Sequence, residues 1–223
     1  MLINVGIMGT LCVDPHQWDS VSKSDANWQK LHKQYVEMTL KQGKQIDLVF
    51  YGDSITYGWS LKEGIDTWKQ YYGNLSAVNY GIGRDRTEQL VYRISNGEVN
   101  GLSPKVVVLK IGTNNMRRNT VEDIAHGVKA IIDLLHKKLP KTKVLLLAIL
   151  SRNTLNDKIK QVNHLLFKYE NGKSVRFLNM NSHFEDSKGV IHFDILRDGV
   201  HLTEKGYKVW TQTMDPLLKQ MFK

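Results

Sequence analysis

Ile46-Asp47-Leu48-Val49-Phe50 runs straight into Tyr51-Gly52-Asp53-Ser54-Ile55-Thr56. A short apolar run bounded by a glycine turn is the pattern of a buried strand. The serine falls at its carboxyl end, where open α/β sheets bind ligands. Two further stretches repeat this form. Ala77-Val78-Asn79-Tyr80 runs into Gly81-Ile82-Gly83-Arg84-Asp85, and Val106 to Ile111 runs into Gly112-Thr113-Asn114-Asn115. Three polar, glycine-bearing turns that each follow a strand can meet at one rim of one sheet.

Helical patterns fill the spaces between. Trp28, Leu31, Tyr35 and Met38 recur at helical spacing ahead of the first strand. Asp66 to Tyr72 reads as helix, and Thr87 opens another that stops near Asn96-Gly97. Thr120 and Asp123 have capping-box spacing at the head of a helix that runs to about Leu139-Pro140. Val144 to Leu150 and Val175 to Met180 are the fourth and fifth strands. Leu155 to Tyr169 and Thr203 to Met221 are the last two helices. Five short apolar strands separated by helices predict a parallel sheet covered on both faces, in flavodoxin-like order.

The chain has 223 residues, no repeats and only four prolines. It reads as one domain over residues 1–223, with residues 1–25 an N-terminal extension packed on it. Hydrophobic residues are 41% and charged residues 24%, an ordinary balance for a globular protein. No run of 18 apolar residues occurs, so no membrane span is expected. The opening segment lacks the basic start of a signal peptide. The compartment is left open: cytoplasmic, or exported with a leader absent from this chain. The single cysteine, Cys12, permits no intramolecular disulfide. The net charge of +9 comes from lysines scattered among acids, as in Lys62-Glu63 and Glu204-Lys205. With no basic–aromatic strip on any strand, nucleic acid is not an expected partner.

The chemistry concentrates in few residues. A serine hydroxyl is a weak nucleophile without a base. Asp198-Gly199-Val200-His201 can present a carboxylate and an imidazole from one turn, the carboxylate on one ring nitrogen and the other nitrogen free for Ser54. His183, His192 and Asp194 are rivals, and Ser54 could instead simply cap a helix. Asn114 can donate an amide proton to an oxyanion. Gly81-Ile82-Gly83 lacks the third glycine of a dinucleotide fingerprint. The nine-residue spacing of His183, His192 and His201 matches no ligand pattern, so neither metal nor cofactor is expected. Tyr57, Trp59 and Trp68 either stack a sugar or lie under the loop.

Taken together, Gly52-Asp53-Ser54-Ile55-Thr56, Asn79 to Asp85, Gly112-Thr113-Asn114-Asn115 and Asp198-Gly199-Val200-His201 resemble, in order, the four motif blocks of the SGNH/GDSL hydrolase superfamily. The likeness runs from about Trp28 through the last helix. It is nearest in wording to the platelet-activating-factor acetylhydrolase catalytic-subunit branch. It implies a three-layer α/β/α sandwich and metal-free ester hydrolysis through an acyl-enzyme. By matched position it implies Ser54 as nucleophile, His201 as base and Asp198 as its orienter. The Ser54 N–H and the Asn114 amide would line the oxyanion hole. One position departs: Arg84 stands where the family usually has glycine. The Arg84 N–H could still donate, or Gly83 could after a one-residue shift, and the guanidinium could reach a substrate carboxylate, phosphate or sugar hydroxyl.

The expected substrate is a small ester with a short acyl group, acetyl foremost, on a sugar or lipid alcohol, with Gly83, Asp53 and Trp59 as further candidate contacts. A lysophospholipase or thioesterase on the same triad, and a non-catalytic binding module, are the rival readings. The branch's related subunits dimerise, which leaves a homodimer open.

Overall fold

The computed structural model describes residues 16–152 and 154–223. Five strands, β1 (Leu48–Gly52), β2 (Ala77–Gly81), β3 (Val106–Lys110), β4 (Lys143–Leu147) and β5 (Val175–Leu178), form one parallel sheet in the order β2-β1-β3-β4-β5. This is the flavodoxin-like order expected from the apolar runs. Among the described residues seven α-helices cover it: α1 (Ala26–Gln42), α2 (Ser54–Tyr57), α3 (Ile65–Tyr72), α4 (Thr87–Arg93), α5 (Val121–Lys138), α6 (Asn156–Phe167) and α7 (Glu204–Phe222).

The central strands β1, β3 and β4 are mostly apolar because both their faces are buried, and alternate residues enter different layers. Val49, Tyr51, Val107, Leu109, Val144 and Leu146 belong to one core with residues of α1, α4, α5 and α6. Leu48, Phe50, Val106, Val108, Leu145 and Leu147 belong to a second with residues of α2, α3 and α7. The three layers are therefore helix, sheet, helix.

Helix ends follow their caps. Asp25 accepts the Trp28 N–H at the start of α1. Thr120 and Asp123 form the full reciprocal capping box of α5, and Thr203 accepts the Gly206 N–H of α7. The boundaries shift slightly from the expected ones. Ile46 and Asp47 precede β1, and Ala148 to Leu150 follow β4 as irregular but buried chain. Leu155 has φ 70° and so stands outside α6. The end of α4 widens into a π-turn over Ile94–Glu98, with Gly97 at φ 112°.

Residues 16–25 lie against the helical layer. The Val21 N–H donates to the Glu88 carbonyl at 3.2 Å, and Trp18 stacks on His16 and meets His126 edge-on. Cys12 and the rest of residues 1–15 of the expected extension lie outside the described residues. Among the described residues no helix is long and apolar enough to cross a membrane.

Candidate active site

β1, β2 and β3 end level with one another: Gly52 is the register partner of both Gly81 and Lys110. The loops after them therefore leave the sheet at the same rim. The Ser54 turn is packed tightly into this edge. A Cβ on Gly52 would lie 2.1 Å from Thr56 Oγ1 and 2.3 Å from the Lys110 carbonyl oxygen. One on Gly81 would lie 2.2 Å from the Tyr57 nitrogen. Glycine at both positions is a requirement of close backbone approach.

Asp53, not Ser54, caps α2; its Oδ1 accepts the Ile55 N–H at 2.9 Å. Ser54 is the first helical residue, so its N–H has no carbonyl within the helix to bond. Its Oγ lies 2.9 Å from His201 Nε2. His201 Nδ1 lies 2.7 Å from Asp198 Oδ2. Asp198 Oδ1 accepts the His201 and Val200 N–H groups at 2.7 and 3.0 Å, and Gly199 takes φ 74° within this tight turn. Partial burial alone raises the Asp198 pKa. The N–H and ring hydrogen bonds of His201, with the Val200 N–H, overcome that and bring it from 3.8 to about 2. The carboxylate is thus ionised and fixes which imidazole nitrogen faces it, leaving Nε2 able to accept a serine proton.

The turn bearing His201 is tied to the Ser54 turn through α7. Tyr207 Oη donates to the Ile55 carbonyl at 2.7 Å. The rival residues are elsewhere: His183 and His192 are exposed, and Asp194 pairs with Lys205.

The second loop is a tight turn. The Asp85 N–H donates to the Ile82 carbonyl, and Arg84, its third residue, has φ 61°. A left-handed residue in this place explains why glycine would suit it. Beneath it lies a buried charge network. Arg93 donates to Asp85 Oδ2, Glu98 Oε1 and the Tyr80 carbonyl. Lys23 reaches Asp85 and the Arg84 carbonyl, Trp28 Nε1 reaches Asp85, and His32 reaches Glu98. Burial alone would lower the Arg93 pKa, but Glu98 and Asp85 raise it well above the ordinary guanidinium value. Asn114 Nδ2 donates to the Asp85 carbonyl at 2.9 Å, and Asn115 Oδ1 accepts the Thr87 N–H. These bonds join the third loop to the second.

Arg93, Glu98, Asn115 and Lys110 were not among the candidates read from the sequence. Each is a polar residue within a strand-end or helical run, and only the buried partners reveal its place.

Two candidate substrate contacts are corrected. Trp59 is 0% exposed, its ring 4.4 Å from that of Tyr207 and 5.3 Å from that of Trp210, so it is core. Asp53 is also 0% exposed, with one carboxylate oxygen committed to the Ile55 N–H. Neither can touch a substrate. Gly83 and Arg84, with Tyr57, wall a cavity of about 710 Å³ that takes in Arg86 and, from α1, Lys30 and Gln34, while Ser54, His201 and Asn114 lie outside its lining. Among the described residues no cluster of three or more metal-ligating side chains occurs.

A family model for GDSL-like lipases and acylhydrolases matches residues 50–209. The chain is 32% identical over 212 residues to platelet-activating factor acetylhydrolase IB subunit alpha2 of Rattus norvegicus, covering 93% of this chain and 90% of that one. Among solved structures it is similar to one described as an acylhydrolase from Bacteroides fragilis, at 24% identity, with TM-score 0.73 over 91% of this chain and 100% of the other. A mutant acetyl-xylooligosaccharide esterase from Geobacillus Stearmophilus shares the fold at 17% identity, TM-score 0.61, over 80% and 96% of the two chains. A five-stranded parallel sheet with an acylhydrolase motif set at its rim defines an ester hydrolase. The chain belongs to the GDSL-like lipase/acylhydrolase family.

Proposed function

We propose that the protein removes short acyl groups, acetyl foremost, from esters through a Ser54–His201–Asp198 triad. The observation that carries this is the continuous chain of contacts from Ser54 Oγ to His201 Nε2 and from His201 Nδ1 to Asp198. Ser54 attacks the ester carbonyl while His201 takes its proton. The Ser54 N–H, the Arg84 N–H and the second amide proton of Asn114 hold the oxyanion, the first Asn114 proton being committed to Asp85. The alcohol departs with the proton from His201. Water, deprotonated by the same imidazole, then clears the acyl-enzyme.

The cavity beside Arg84 has room for a bulky alcohol, and its lysines and arginines suit a sugar or a phosphorylated alcohol. The chain's similarity to a platelet-activating factor acetylhydrolase subunit and to an acetyl-xylooligosaccharide esterase supports an acetyl group. A homodimer is compatible with this reading and is tested by sedimentation.

The deciding experiment is a series of p-nitrophenyl esters from acetyl to dodecanoyl with the wild type and Ser54→Ala. Highest kcat/KM at acetyl, and loss of activity in the variant, are expected. Rates that climb with acyl length point to a lysophospholipase or thioesterase instead. Undiminished turnover by the variant removes Ser54 from the mechanism.

A further inference from the structure

Lys110 is a buried cation that the triad does not use. It ends β3, opposite Gly52, on the sheet face that carries α2 and α7. Its side chain is 1% exposed. Nζ donates to Thr113 Oγ1 at 3.2 Å and lies 3.9 Å from Asp53 Oδ2. That oxygen has no hydrogen-bond partner, while its twin holds the Ile55 N–H. The ammonium is the buried counter-charge of Asp53, with the half-buried Arg152 guanidinium near enough to act on both.

Burial and the nearby Arg152 both lower the Lys110 pKa, and Asp53 opposes them. A buried ion pair is not retained for stability, since well-packed apolar residues usually do as well. Its location suggests another use. Asp53 immediately precedes Ser54, so an uncompensated negative charge there would sit beside the N–H that meets the developing oxyanion. In a dry site that repulsion is poorly screened.

We propose that Lys110 is a positioning residue for the hydrolysis: its ammonium neutralises Asp53 and holds the Asp53–Ile55 turn so that Ser54 presents both its hydroxyl and its N–H to the ester. This rests on the reading of Ser54 as the nucleophile. The role differs from that of the triad, because Lys110 touches no reacting atom.

The test measures p-nitrophenyl acetate hydrolysis by Lys110→Met, Lys110→Gln, the double variant Asp53→Asn with Lys110→Met, and Ser54→Ala as reference. Removing the cation alone is expected to lower kcat about 10–100-fold, the order seen when oxyanion stabilisation is impaired. KM should stay within about threefold, because the ground-state carbonyl carries little charge. Removing both charges should restore kcat at least about tenfold over the cation-free variant, since asparagine keeps the Ile55 cap without the charge. Lys110→Gln keeps a polar group for Thr113 and stands in if the methionine variant does not fold. A purely packing role would give no rescue by the second substitution. Wild-type kcat without the ammonium, or a double variant no faster than the single, overturns the proposal. Activity surviving in Ser54→Ala would instead overturn the reading of the nucleophile.

Discussion

Asn114 Nδ2 donates to the main-chain oxygen of Asp85 at 2.9 Å, so the loop after β3 and the loop after β2 are held as one unit. Two of the three proposed oxyanion donors belong to those loops. Asn114→Ala should lower kcat by about 10²–10³ with little change in KM. Steady-state kinetics on p-nitrophenyl acetate check this. A loss confined to KM would show that Asn114 binds substrate rather than the transition state.

Arg84 separates the roles of main chain and side chain. Its φ of 61° disfavours any residue with a Cβ. Arg84→Gly keeps the N–H and relieves that strain, so stability should rise by roughly 0.5–1 kcal/mol. Turnover of p-nitrophenyl acetate should stay within about threefold if only the N–H takes part. Esters of acidic alcohols should lose affinity, because the guanidinium is gone. Urea unfolding and a pair of neutral and anionic esters measure both effects.

Arg93 is the hub beneath the same loop. Arg93→Met takes the guanidinium from Asp85 and Glu98, both fully buried, leaving Lys23 and Trp28 on the first and His32 on the second, and should cost about 3 kcal/mol. Arg93→Lys should recover little, since a single ammonium lacks the guanidinium's fork for three partners. Denaturant titration gives the values, and near-wild-type stability of Arg93→Met would contradict the network's importance.

The Asp198 carboxyl is held at about 2 in the folded chain against 3.8 unperturbed. A depressed folded-state pKa adds stability above the unfolded value and loses it as pH falls through the folded one. That contribution is therefore complete above about pH 4 and fades towards pH 2. Melting temperatures of Asp198→Asn should fall less steeply over this range than those of the wild type. At neutral pH the same variant should lose kcat by as much as about 10⁴, because asparagine can hold the wrong imidazole tautomer.

Trp59→Ala should cost about 3–5 kcal/mol through the cavity it leaves. Relative rates on different esters should not change, since the indole is walled off from the cleft. A shift in ester preference without loss of stability would contradict its place in the core.

The sheet was legible because its central strands are apolar on both faces and β1, β2 and β3 end in glycine-bearing turns. Val107 and Val108 enter opposite cores, yet both are valine, so the run signals a strand without saying which side is which. The meeting of Ser54, His201 and Asp198 was anticipated from motif order, although their 147-residue separation hides the contact from any local pattern. Lys110 and Arg93 were not legible. A lysine closing a strand and an arginine in a helix look like solvated charges until tertiary packing buries them. For Trp59 the sequence left two readings open, a sugar contact or a place under the loop, and Tyr207 and Trp210, some 150 residues later, decide for the second by closing over it.

The contact between Ser54 and His201 joins an early part of the chain to its final tenth. During synthesis β1 and its turn leave the ribosome long before His201 does, and Tyr207 follows later still. A nascent chain stalled ahead of the Asp198–His201 turn carries the serine without that imidazole. On the proposed mechanism, termination ahead of Asp198 would leave all five strands in place but no turnover of a chromogenic ester.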